Sequence, residues 1–185
     1  MDPLAWRVAL AEDVCDVLAQ LAQAEPAIAV TTADRAIAGE VGWPGLRCFE
    51  VPRLDARSVL GAAAEAGFAQ AALVSGDAPD LPGMVIAKLL RPLTTRPVSV
   101  AVATRIAATG DDGLVGLGAT LPAPGWLPAG SLDELTPQIL RQAAPRPGAV
   151  ARANGWHRLR SAEDLAALDP RLEGWDNTRA LLPAR

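Results

Sequence analysis

Arg158 and Arg160 stand on either side of Leu159 near the end of the chain. On an extended segment, residues two apart project to the same side, so both guanidinium groups face one way while Leu159 faces inward. Two such permanently charged, planar groups can clamp a phosphate or carboxylate, because each donates paired hydrogen bonds. The plain alternative is a solvated face, on which exposed arginines contribute little to stability. His157 precedes them and is the single histidine, which leaves no multi-histidine metal site and no histidine pair. A structural role and a place beside a bound anion are the two readings for it.

Asp77 belongs to Ser75-Gly76-Asp77-Ala78-Pro79-Asp80-Leu81-Pro82, directly after the apolar run Ala71-Ala72-Leu73-Val74. That run reads as a buried parallel strand, and ligands of α/β sheets gather beyond the carboxyl ends of such strands. As an ordinary turn residue, Asp77 would accept from loop N–H groups. Asp80 reads as the N-cap of the next helix, with Pro82 in its first turn. Asp112 stands among Gly110, Gly113 and Gly116, in a stretch suited either to a solvated turn or to close approach by a ligand.

The elements that must hold these residues alternate along the chain. Apolar positions from Leu4 to Ala22 recur at helical spacing, with Arg7, Asp13, Asp16 and Gln20 as the polar positions. Ala27 to Thr31 and Leu46 to Val51 follow as strands, then a helix capped by Asp55 and stopped by Gly67. After the Asp77 turn comes a helix with Val85, Ile86, Leu89, Leu90 and Leu93 on its apolar face. Strands are expected at Pro97–Ala103, Gly113–Thr120 and 149–151, and helices at Leu132–Ala143 and Ser161–Leu168. Trp175 and Leu181 fasten the last segment to the body. Residues 1–185 thus form a single α/β domain, a three-layer, Rossmann-like structure with a mostly parallel sheet.

Composition narrows the function. Of 185 residues half are apolar and 21% are charged, and the formal net charge is −4, which disfavours nucleic acid or an anionic membrane as partner. No tyrosine is present and aromatics make up 4%, so no base-stacking platform is expected. No apolar stretch approaches the roughly 20 residues of a membrane span, and the start has no signal-peptide pattern. Cys15 and Cys48 read as buried, reduced thiols of a cytoplasmic protein. Lys88 is the only lysine, so nearly all positive charge is arginine.

Strand, Asp-x-Pro-Asp-Leu turn and helix together resemble a hallmark of the nucleotide-diphospho-sugar transferases. That superfamily includes molybdenum-cofactor and phospholactate guanylyltransferases and a glycosyltransferase-like branch. Asp111-Asp112-Gly113-Leu114-Val115-Gly116-Leu117 resembles the branch's Asp-Gly-Gly segment. Arg158-Leu159-Arg160-Ser161-Ala162-Glu163-Asp164-Leu165 resembles its late Asp-x-Asp-Thr-x-Glu-Asp-Leu segment. The resemblance implies a cytoplasmic transferase-like protein acting on a nucleotide or sugar nucleotide, with Asp77 as ligand of Mg²⁺ or Mn²⁺ and Asp112, His157, Arg158 and Arg160 near the substrate. Where the late segment of the family carries metal-binding aspartates, this sequence has Arg158 and Arg160. The sequence also opens at what resembles the helix after the family's first strand and Gly-rich phosphate loop. That strand is central in the sheet, so its neighbours are expected to close up or to take in a partner, and self-association is a further expectation. The alternative function is a non-catalytic binding or partner module that keeps the transferase fold.

Overall fold

The apolar, β-branched and alanine-rich runs form strands because both of their faces are covered. In the computed structural model, which describes residues 2–22, 24–104, 111–169, 171 and 173–182, seven strands and seven α-helices appear among the described residues. β3 (Gln70–Val74), β5 (Asp111–Thr120), β4 (Val98–Thr104) and β6 (Val150–Arg152) pair in that spatial order, and β7 (Trp156–His157) also pairs with β4. β4 is parallel to β6 and β7, whereas β5 is antiparallel to both β3 and β4. The sheet is therefore mostly but not purely parallel: β5 runs against the other four.

One face of this sheet presents Val98, Val100, Leu117 and Ala119 to Leu60 of α3 (Ala56–Glu65) and Leu140 of α5 (Pro137–Ala143). The other presents Ala101, Ala103 and Val115 to Val85, Ile86 and Leu89 of α4 (Gly83–Leu90), with Val17 and Leu18 of α1 (Pro3–Ala19) packed alongside. Alternation along β5 explains its glycines. Leu117 and Ala119 fill the α3 side, and a Cβ on Gly116 would lie 2.5 Å from Leu89 Cδ1. Helix and strand consequently approach more closely than any side chain there would allow. The backbone of Asp112, read as part of a solvated turn or of a stretch open to a ligand, lies at the opening of this strand, in which Gly113 and Gly116 serve packing.

β1 (Ala27–Val30) and β2 (Arg47–Glu50) form a separate, parallel two-stranded sheet, joined by α2 (Arg35–Val41). α3 connects β2 to β3 and packs on both. Among the described residues β1 and β3 do not pair.

Caps follow the sequence closely where they are local. Asp55 Oδ1 accepts from Ser58 N at 2.8 Å at the start of α3, and Gly67 with φ +88° ends it. Ser161 and Asp164 form a reciprocal capping box at α6 (Ala162–Ala167). The helix expected from Leu132 is shorter, because Thr136 caps α5 and Pro137 occupies its first turn. Asp13, expected on the polar face of α1, is 2% exposed. Its carboxylate accepts from the backbone N–H groups of Asn177 at 2.9 Å and Thr178 at 2.8 Å, capping α7 (Asp176–Ala180) from a distant part of the chain. Trp175 is buried with Leu10, Leu159 and Leu168, which anchors that segment.

Candidate functional site

Beyond the carboxyl ends of β3 and β7, four charged side chains converge. Arg158 Nε donates to Asp77 Oδ1 at 2.5 Å and Arg158 Nη2 donates to Asp77 Oδ2 at 2.8 Å, a two-pronged pair. Arg158 Nη1 donates to Asp133 Oδ1 and, at 3.3 Å, to the Leu114 carbonyl. Arg160 Nη2 also donates to Asp133 Oδ1, and its Nε lies 3.6 Å from Asp77 Oδ2. Ser75 Oγ adds a hydrogen bond to Asp77 Oδ1 at 2.7 Å. Two cations and two carboxylates make the cluster formally neutral.

The backbone explains why these groups meet. Leu159 N donates to Asp77 O at 2.7 Å, which pins the segment after β7 against the turn after β3. Leu159 is 2% exposed, so it points inward and the arginines on either side turn to the same face. Gly113, with φ +78°, admits the Asp133 segment: a Cβ there would overlap the Leu132 carbonyl oxygen, which accepts from Leu114 N at 2.7 Å.

The members differ in exposure. Side chains of Arg158, Asp77, Arg160 and Asp133 are 9%, 24%, 32% and 56% exposed. Burial by itself would lower the Arg158 pKa, but hydrogen bonds and charge from Asp77 and Asp133 outweigh it and raise it. Burial would likewise raise the Asp133 carboxyl, whereas Arg158 and then Arg160 hold it below its ordinary range.

A second cluster lies next to the first. Trp156 Nε1 donates to Asp80 Oδ1 at 3.2 Å, and His157 Nε2 lies 2.8 Å from Asp80 Oδ2. The two rings stack with centroids 4.9 Å apart. Asp80 is therefore not the N-cap of α4; Pro82 holds that position without a side-chain bond. A polar tie between β7 and the turn after β3 takes the carboxylate instead.

Neither a family model nor a curated protein sequence matches this chain. Solved structures do. A protein of Desulfovibrio desulfuricans G20 assigned to the nucleotide-diphospho-sugar transferases matches with TM-score 0.65 and 17% identity, over 95% of this chain and 81% of that one. The 4-diphosphocytidyl-2C-methyl-D-erythritol synthase of Anaerococcus prevotii DSM 20548 matches with TM-score 0.58 and 10% identity, over 85% of each chain. This chain has the nucleotide-diphospho-sugar transferase fold.

Within that fold, Asp77, Arg158 and Arg160 come together as a unit, and His157 sits one cluster away on Asp80. The backbone of Asp112 lies in β5, while its side chain and Gly110 lie outside the described residues. The fit of Mg²⁺ or Mn²⁺ turns on the oxygens of Asp77. Both accept from Arg158, and no group of three or more metal-ligating side chains is gathered among the described residues. As arranged, this donor set does not fit a divalent ion, which needs several free oxygen ligands. No described helix is long and apolar enough to cross a membrane.

Asp133 is the member of the site that sequence reasoning missed. It falls in Ser131-Leu132-Asp133-Glu134, which precedes α5 and reads there as helix. Its only sequence signal is indirect: Gly113 needs a backbone neighbour close enough to forbid a side chain.

Proposed function

We propose that this chain binds a nucleotide or sugar nucleotide beyond the carboxyl ends of β3 and β7 and meets its phosphate with guanidinium groups instead of a divalent metal. On this reading the chain is a binding module that keeps the transferase fold. The observation that carries it is the two-pronged Arg158–Asp77 pair, which occupies both oxygens of the acid best placed to hold a metal. Arg160 is the more exposed cation and would meet the phosphate first, with Arg158 as the buried strut behind it. Structural neighbours named for nucleotide and nucleotide-sugar transfer support the ligand class.

Calorimetry of the full chain with GTP, CTP and UDP-sugars tests this, with and without Mg²⁺ or Mn²⁺. Binding unaffected by EDTA and weakened by Arg160→Ala is the expected result. Micromolar binding that requires metal would overturn it. That outcome would favour the catalytic reading, in which metal and positioning assist attack of a substrate phosphate or hydroxyl on an activated nucleotide. One observation favours this second reading: Asp77 and Asp133 converge on a single guanidinium, so a swing of Arg158 would leave two carboxylates facing each other.

A further inference from the structure

The two carboxylates of the charged cluster are held in different ways. Asp77 is fixed from several sides: Ser75 Oγ and both prongs of Arg158 reach its carboxylate, and its carbonyl accepts from Leu159 N. Asp133 enters from the loop before α5, and its Oδ1 alone accepts from both Arg158 Nη1 and Arg160 Nη2. The backbone of that loop is held without this contact. Leu132 O accepts from Leu114 N at 2.7 Å, and Ser131 N donates to Glu134 Oε2 at 2.8 Å. The Asp133 side chain can therefore swing out while the loop keeps its place. More than half of it is already exposed, so a swing carries it into water and not into the core.

A carboxylate oxygen that takes two guanidinium groups at one point stands where an oxygen of a bound phosphate would stand. Simple departure is costly, because Arg158 Nη1 is nearly buried and would lose its acceptor. Exchange for another anion avoids that cost and leaves the Arg158–Asp77 pair intact. We infer that Asp133 is a built-in anion that fills this subsite in the free protein and that a phosphate group binds by replacing it, an inference that rests on the anion-binding reading under Proposed function. The apparent affinity is then the intrinsic one reduced by the fraction of molecules whose Asp133 has swung out. Charge acts in the same direction. With Asp133 in place the cluster is neutral, whereas Arg158 and Arg160 against Asp77 alone leave one net positive charge. Neutralising Asp133 should therefore tighten anion binding, although it removes a member of the site. Glu134, the next residue, supplies the contrast. It is also exposed and carries the same charge, but its carboxylate accepts from Ser131 and not from the arginines.

The test is titration of the full chain with inorganic phosphate, without metal, at about pH 7.5 and constant ionic strength, followed by NMR of the arginine Nε–H groups. Asp133→Asn keeps the shape of the side chain and should bind phosphate about tenfold more tightly than wild type, the worth of one charge-assisted bond. Asp133→Ser, a second neutral replacement, should gain similarly. Glu134→Gln should stay within about twofold of wild type, since an exposed charge off the subsite is screened. Adding Arg160→Ala to Asp133→Asn should abolish the gain. Binding seen only in the two Asp133 variants would uphold the inference and show the wild-type site to be shut. If Asp133→Asn and Asp133→Ser bind no better than wild type while Arg160→Ala still weakens wild type, the inference falls and the anion site stands. Equal tightening by Glu134→Gln would overturn it in favour of a general field of the acids. If neither wild type nor either Asp133 variant binds phosphate at about 10 mM, the inference and the anion site fall together.

Discussion

The first strand of the two-stranded sheet and the central strand β4 of the five-stranded one are built from similar residues and reach different degrees of burial. In the five-stranded sheet, Val98, Ala101, Ala103, Leu114, Leu117 and Ala119 are each at most 1% exposed. In the two-stranded sheet, Val30 alone is buried, and three of the four residues of β2 are exposed. Hydrophobicity does not separate β1 from β4, since Ala27-Ile28-Ala29-Val30 is as apolar as Val98-Ser99-Val100-Ala101. The number of paired edges does. β4 has neighbours on both edges and helices on both faces, whereas among the described residues β1 has a partner on one edge only. Burial is thus a property of the assembled layer, and the charged cluster is built on the well-assembled one.

The largest expected effect breaks this comparison if it fails. Leu117→Ala should cost about 3–4 kcal/mol, as for large-to-small changes in full cores. Ile28→Ala, on the half-covered strand β1, should cost about 1 kcal/mol or less. Urea denaturation of both variants measures the gap, and equal losses would mean that the two sheets are one cooperative core.

The next effect concerns the site. Arg158→Ala leaves Asp77 partly buried without its main partner and should cost about 3 kcal/mol. The sequence expectation of exposed, stability-neutral arginines therefore holds for Arg160 at most. Arg158→Lys should recover only part of the loss, since an ammonium cannot make the two-pronged contact. Full recovery would reduce the pair to simple charge attraction.

What was legible follows from range. The strands other than β7, the Asp55 and Ser161 caps, the Gly67 stop and the Asp77 turn depend on residues within a few positions of each other, and each was readable. So was the shared face of Arg158 and Arg160, because alternation about Leu159 is local. Asp133 in the cluster, Asp80 on the Trp156–His157 pair and Asp13 capping α7 were not readable. Each joins segments separated by 25 to 165 residues, and a carboxylate carries no mark of which distant donors it will meet. Local capping was the natural reading of Asp80, and a tertiary bond displaced it. Cys48 was expected to be buried like Cys15 and is exposed, because β2 lacks a second layer.

That contrast between cysteines gives a smaller, sharper effect. Burial, with the charges of Asp16 and Glu12 adding to it, pushes the Cys15 thiol up to about 11. An unfolded thiol ionises near 8.5, so the folded state favours the protonated form. Its contribution is complete below that pH and is lost as pH rises toward 11, on the order of 3 kcal/mol in all. Cys48 should react with a thiol reagent in the native state at pH 8, and Cys15 only on unfolding. The acid side has the opposite sign. Asp133 is held below its ordinary range by Arg158 and Arg160, so its contribution is present above about pH 4 and fades as pH falls through its folded value. Arg158→Ala should flatten that acid limb.

The smallest effect on stability is the most informative about function. Arg160 is exposed, and its partner Asp133 is more than half exposed. Removing an exposed ion pair typically changes stability by less than about 1 kcal/mol. Arg160→Ala should therefore melt within a few degrees of wild type, unlike Arg158→Ala. Its effect on anion binding should be out of proportion to this. Arg158 spends its donors on Asp77, Asp133 and the Leu114 carbonyl, whereas Arg160 shows one such bond and a longer ion pair. A phosphate can displace the exposed Asp133 from Arg160 without uncovering the buried pair, and each charge-assisted bond so formed contributes about 1.5–3 kcal/mol. Phosphate or sulfate titrations should then show roughly tenfold or greater weakening in Arg160→Ala and no response to EDTA. If Arg160→Ala binds the anion as well as wild type while folding equally well, the charged cluster serves only to fasten β7 to the turn after β3.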